Sequence, residues 1–195
     1  MIGKLIAAGL VAIVAAFAWS KHEDRIHEQN SLARIASELA GRSVGVHCPS
    51  FLGGLIDVHG EPGRVQFDAN GAPANHTDLA PETCDALRKF DHVDFSCLDR
   101  NGCGYKQFAA GWAAHTLAHE SFHLRGFQDE GVTECYAMQN TAFVANRLGL
   151  APRRARELQQ WIYDKGFRNE PDDYQSPRCY AGGPLDLSPA TPTFP

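Results

Sequence analysis

The sequence predicts an α+β fold, mainly helical, with a small antiparallel sheet and disulfide staples, following an N-terminal hydrophobic segment. Three observations lead there. Residues 105–165 read as three successive helices separated by Gly126 and Gly149. Short strand-like runs between residues 44 and 67 are punctuated by Gly and Pro. Six cysteines, an even number, follow an apolar N-terminus, as expected of an exported chain whose thiols are paired.

The N-terminus runs Met1-Ile2-Gly3-Lys4 and then Leu5 through Trp19 without a charge. That is a positive start and an apolar run of signal-peptide length, which also just reaches a short membrane span. Ala16-Phe17-Ala18 offers an A-x-A cleavage site and hence secretion. The charged helical stretch from Lys21 suits an uncleaved anchor instead. Residues 1–20 are therefore expected as a signal peptide or membrane anchor. The remainder is expected outside the cytoplasm, either secreted or as the exported domain of a single-pass membrane protein. A net charge of -5 with no long basic run argues against nucleic-acid binding.

Ile26, Leu32, Ile35 and Leu39 recur among charges at helical spacing, giving a juxtamembrane helical segment over 21–44 that stops near Gly41. The main domain is expected over 45–182, with a Pro-rich tail over 183–195. Within the domain, Val44–His47 reads as a strand. Val58-His59 and Arg64–Phe67 read as a hairpin around Gly60-Glu61-Pro62-Gly63, and Asp68–Thr77 as a loop. Pro81 opens a short helix carrying Cys84, Leu87 and Phe90. Cys97 and Cys103 enclose a short loop and form the best single disulfide pair. No C-x-x-C occurs, so the cysteines do not resemble metal ligands.

The helix from Tyr105 to Leu124 carries Phe108, Trp112, Leu117, Phe122 and many alanines. It is apolar nearly all round, the pattern of a buried helix, and Gly126 supplies its left-handed stop. A second helix starts at Asp129 or Glu130 and runs to Leu148. A third starts at Pro152 and continues to about Lys165.

Within the buried helix stands His119-Glu120-Ser121-Phe122-His123, a complete H-E-x-x-H. Residues four apart share a helix face, so both imidazoles reach one metal ion from the same side. Glu120 is adjacent to the first ligand, where it can serve as general base. Two His and a Glu on a buried helix are costly unless paired or metal-bound. His115 extends the row by a turn, but His115 and His123 stand roughly 12 Å apart along the axis. Zn–N bonds are about 2 Å, so His115 is expected behind the ligands or in the core.

A third protein ligand is needed, and the acids after the Gly126 turn are Asp129, Glu130 and Glu134. Asp129 suits a helix cap and Glu130 the first turn of any helix. Glu134 instead heads an apolar stripe with Met138, Thr141, Ala145 and Leu148, where a carboxylate needs a partner. Glu134 is the expected ligand, with Asp129 the alternative.

These residues resemble the zincin metallopeptidases, over His115–Leu148. With Glu134 as ligand, the chain resembles a small gluzincin, since Glu134-Cys135-Tyr136-Ala137 is similar to the E-x-x-A start of a glutamate helix. With Asp129 as ligand, it completes H-E-x-x-H-x-x-G-x-x-D and resembles the snapalysin-type branch of the metzincins, though Met138 falls inside a helix rather than in a Met-turn. The whole pattern, with its export signal and E-C-x-A-x-Q segment, is also similar to exported bacterial proteins, which adds no activity.

The resemblance implies a zincin-like fold and zinc-dependent hydrolysis of peptide bonds outside the cytoplasm. Zn2+ would be held by His119, His123 and Glu134, with Glu120 taking a proton from zinc-bound water. Tyr136, Tyr174, Tyr180 and His115 are available as transition-state donors. The implied partners are a peptide or protein substrate and, if the N-terminal segment is uncleaved, the membrane. The alternative is a non-catalytic, disulfide-stapled extracytoplasmic binding module with a zincin-like fold. Glu120 favours the enzyme, while the shortness of the chain favours the module. A structural cell-envelope protein would bind no metal.

Overall fold

The computed structural model describes residues 23, 26–49, 60–100, 102–191 and 194–195. The expected signal or anchor segment lies outside these residues, as does the Val58-His59 half of the expected hairpin. Among the described residues no helix is long and apolar enough to cross a membrane.

The chain forms α1 (26–40), β1 (Gly45–His47), β2 (Gly63–Arg64), β3 (His76–Leu79), α2 (Pro81–Arg88), α3 (Tyr105–Leu124), α4 (Glu130–Arg147) and α5 (Pro152–Lys165). Short 3-10 turns follow α2 and α5, the last at Asp172–Tyr174. It is mostly helical with a small sheet, as the periodicity predicts. The sheet, however, is mixed rather than antiparallel. Its order is β1-β3-β2, with β1 parallel to β3 and β2 antiparallel to β3.

β2 pairs with β3, which begins inside the stretch read as a loop. The cause is composition. His76-Thr77-Asp78-Leu79 alternates as a strand does, with Thr77 and Leu79 buried, but three of its four residues are polar. Thr77 accepts burial because its hydroxyl reaches the Arg64 carbonyl at 3.0 Å.

α3 is central. Every residue from Ala113 to Leu124 is buried, and α4, α5 and α2 pack against it. Its start is held by Gln107, whose Oε1 accepts from the Gly104 N–H at 3.1 Å. Its end is turned by Gly126, at φ 109°. α1 belongs to the same core through Leu32, Ile35, Ala36 and Leu39. Just beyond it, Arg42 donates to the carbonyls of Leu124 (3.0 Å) and Ala74 (2.6 Å), capping α3 from outside.

Three disulfides pair all six cysteines: Cys48–Cys84, Cys97–Cys103 and Cys135–Cys179. The second is the pair expected from spacing. Their presence is compatible with an oxidising, extracytoplasmic location. The tail turns back onto α4, where Gln139 donates to the Leu185 carbonyl at 2.9 Å and accepts from the Leu187 N–H at 2.7 Å.

Candidate metal centre

The last two turns of α3 and the first turn of α4 face one cleft of about 540 Å³. Gly126 reverses the chain between them, so the start of α4 returns beside the histidines. His119, Glu120, His123, Glu130, Glu134 and Tyr174 all line this cleft.

Nε2 of His119 and Nε2 of His123 lie 2.9 Å apart. Oε2 of Glu130 is 3.1 Å from the first and 3.2 Å from the second. The other nitrogens of both rings are engaged elsewhere. His123 Nδ1 donates to the Phe127 carbonyl at 2.7 Å, which leaves its Nε2 as a lone pair. His119 Nδ1 donates to Glu134 at 2.9 Å. Two imidazole nitrogens and a carboxylate oxygen therefore converge on a region that demands positive charge. Metal-ligating histidines are oriented in this way, by a carboxylate or carbonyl on the far nitrogen.

The electrostatics agree. Burial works against a charged His119, but its hydrogen bonds to Glu130 and Glu134 outweigh burial and raise its pKa to about 10. Burial likewise opposes ionisation of Glu130 and Glu134. The nearby His119 and His123 rings still lower Glu130 to about 2, and His115 and His119 lower Glu134 to about 2. With no metal bound, a proton on His119 thus supplies the positive charge.

The expected trio of His119, His123 and Glu134 does not meet at one point. Glu134 lies on the Nδ1 side of His119, away from His123. It is 2% exposed, and Nε2 of His115 sits 2.9 Å from both of its oxygens. His115, His119 and Glu134 do form a second group with metal-ligand chemistry. That group also borders the cleft but lies deeper, since His115 and Glu134 are both 2% exposed in their side chains, whereas the Glu130 side chain is 35% exposed. The Glu130 group is the one more open to solvent, and a catalytic metal needs an open position. Asp129 is spent as the cap of α4, accepting from the Val132 N–H at 2.8 Å.

Glu120 is 4% exposed, and its Oε2 lies 3.4 Å from the Thr77 hydroxyl. Burial raises its pKa, with His119 and His123 pulling the other way. Of the tyrosines noted from sequence, Tyr174 reaches the cleft and stacks on His119 with ring centroids 5.8 Å apart. Burial and then Glu130 raise its phenol to about 12, so it stays a donor. Tyr136 packs on Phe122 and Phe127 instead, and Tyr180 is exposed.

Sequence reasoning passed over Glu130 because a first-turn acid has an ordinary helical role. The signal that finds it is that Asp129 caps the helix, leaving Glu130 as the acid nearest the turn. No family model, curated protein or solved structure matches this chain.

Proposed function

We propose that this chain is a zinc-dependent metallopeptidase acting outside the cytoplasm. The observation carrying the proposal is the convergence of His119 Nε2, His123 Nε2 and Glu130 Oε2 at the mouth of a cleft, with the far nitrogens of both rings already hydrogen-bonded. These three residues would hold the ion, and they fit it by donor type as well as by position: two imidazoles and a carboxylate are a known catalytic zinc set. Glu134 then orients His119 rather than binding the metal. When bound, the zinc supplies Lewis acidity toward a carbonyl oxygen and lowers the pKa of a water molecule.

The chain's own residues account for the rest. Glu120 sits beside His119 on the same helix and lines the cleft, where its carboxylate can accept a proton from water and pass it to the leaving amine. Its raised pKa suits that exchange, because a carboxylate too weakly basic takes the proton from water poorly. Tyr174, stacked over His119 and protonated, offers a hydrogen bond to a developing oxyanion. β2 lines the same cleft and contributes backbone to its wall.

The test is Glu120→Gln. The variant is expected to keep the zinc content of the wild type and to lose hydrolysis of a generic peptide substrate by roughly 100- to 10,000-fold. An unchanged rate removes Glu120 as base. Zinc bound by a wild-type chain that hydrolyses no peptide would favour the binding-module alternative.

A further inference from the structure

The outer face of the sheet carries a second constellation, separate from the cleft. On β3, Thr77 and Leu79 point into the core while His76 and Asp78 point out; on β1, Val46 points in while Gly45 and His47 point out. The parallel register sets Gly45 opposite His76 and His47 opposite Asp78. With no side chain at Gly45, the two histidines close over it. A Cβ there would lie 3.2 Å from Cβ of His76 and 4.0 Å from Nε2 of His47. The imidazoles meet with centroids 4.2 Å apart. The Asp78 carboxylate reaches both, at 3.3 Å from Nδ1 of His47 and 3.7 Å from Nε2 of His76.

We infer that His47, His76 and Asp78 form a second metal site, for a borderline divalent ion such as Zn2+. One donor atom from each residue lies within 4.8 Å of the others. Donors about 2 Å from a tetrahedral ion stand roughly 3.3 Å apart, close to the spacing of His47 from Asp78 Oδ1 and of His76 from Asp78 Oδ2. Two imidazoles and a carboxylate suit Zn2+, Cu2+ or Ni2+ rather than Ca2+ or Mg2+. The scaffold is firm, because the donors come from two paired strands and the neighbouring Cys48 is tied to α2 through Cys84. The side chains remain 57%, 39% and 48% exposed for His47, His76 and Asp78, so a remaining position opens to solvent.

An ion here clamps β1 to β3. Thr77 lies between two of the ligands, and its hydroxyl faces the Glu120 carboxylate on the opposite side of the strand. The clamp therefore steadies the strand that backs Glu120. The inference stands on its own residues and does not depend on peptidase activity.

The experiment is equilibrium dialysis of the full-length chain, in detergent with its disulfides intact, against micromolar free Zn2+. The wild type is expected to bind about two ions. His76→Ala and Asp78→Asn should each lose one and keep the other, while His123→Ala loses the complementary ion. His47→Gln, at an exposed side chain, decides the matter if a strand variant misfolds by circular dichroism. Equal zinc content in the wild type, His76→Ala and His47→Gln overturns the second site and leaves the cleft untouched. One ion that survives His123→Ala but not His76→Ala supports this site and counts against the cleft. No ion bound by the wild type overturns both.

Discussion

A Cβ on Gly63 would lie 2.7 Å from Cγ and 2.8 Å from Oε1 of Glu120. β2 therefore lies against the acid of the H-E-x-x-H run only because residue 63 is glycine. The consequence is a sharp prediction. Gly63→Ala is expected to displace the Glu120 carboxylate and reduce hydrolysis by ~100-fold or more, while zinc content stays at the wild-type level. Overpacking should also lower stability by about 1–3 kcal/mol. Parallel measurement of rate, zinc and melting temperature checks it, and full activity in Gly63→Ala would mean that Glu120 is not positioned by this contact.

Glu130 and Glu134 are expected to separate by the size of their effect on metal affinity. Glu134→Gln keeps a hydrogen-bonding group against His119 and should weaken zinc by roughly 10- to 100-fold, the usual cost of losing a partner behind a ligand. Glu130→Gln removes the proposed ligand and should cost more. Competition against a chromophoric chelator reads both, and the reverse order would make Glu134 the ligand.

The acid and base limits of the chelated protein follow from three side chains, Glu130, Glu134 and His119. Glu130 and Glu134 have pKa values lowered from 4.5 to about 2. Their stabilisation is present above 4.5 and lost as pH falls toward 2. His119 is raised from 6.5 to about 10, so its contribution is complete below 6.5 and fades as pH rises through 10. The melting temperature in excess chelator should be highest between these ranges. Zinc displaces the His119 proton, so affinity should rise with pH over that upper window. Calorimetry in buffers of different ionisation enthalpy measures the released proton, and no release would exclude His119 as the displaced group.

Tyr174→Phe keeps the ring on His119 and removes only the hydroxyl. It is expected to lower kcat by ~100-fold with little change in KM or zinc content. A rise in KM alone would assign Tyr174 to substrate binding.

The Cys135–Cys179 disulfide joins α4, one residue beyond Glu134, to the segment that carries Tyr174. Cys135→Ser with Cys179→Ser should destabilise the fold by about 2–4 kcal/mol. The folded fraction should behave like Tyr174→Phe in kcat while retaining zinc. Wild-type kcat in the folded double variant would show that the segment is seated without the bridge.

Features that depend on local periodicity and short spacing can be read directly along the chain. α3, α4 and α5 are legible because apolar residues, Pro152, Gly126 and Gly149 act within a few turns of chain. His119 and His123 share a helix face by virtue of being four apart, and Cys97 meets Cys103 across a short loop. Tertiary structure decided what depends on partners distant in sequence. His76–Leu79 becomes a strand only because β1 and β2 flank it, and its polar composition conceals this until Thr77 meets Arg64. The angle at which α4 returns after Gly126 sets Glu130 against Nε2 of His119 and sends Glu134 to Nδ1. Along the chain Glu134 reads as the ligand and Glu130 as an ordinary first-turn acid, and only the packing of two helices distinguishes the two sides of one imidazole.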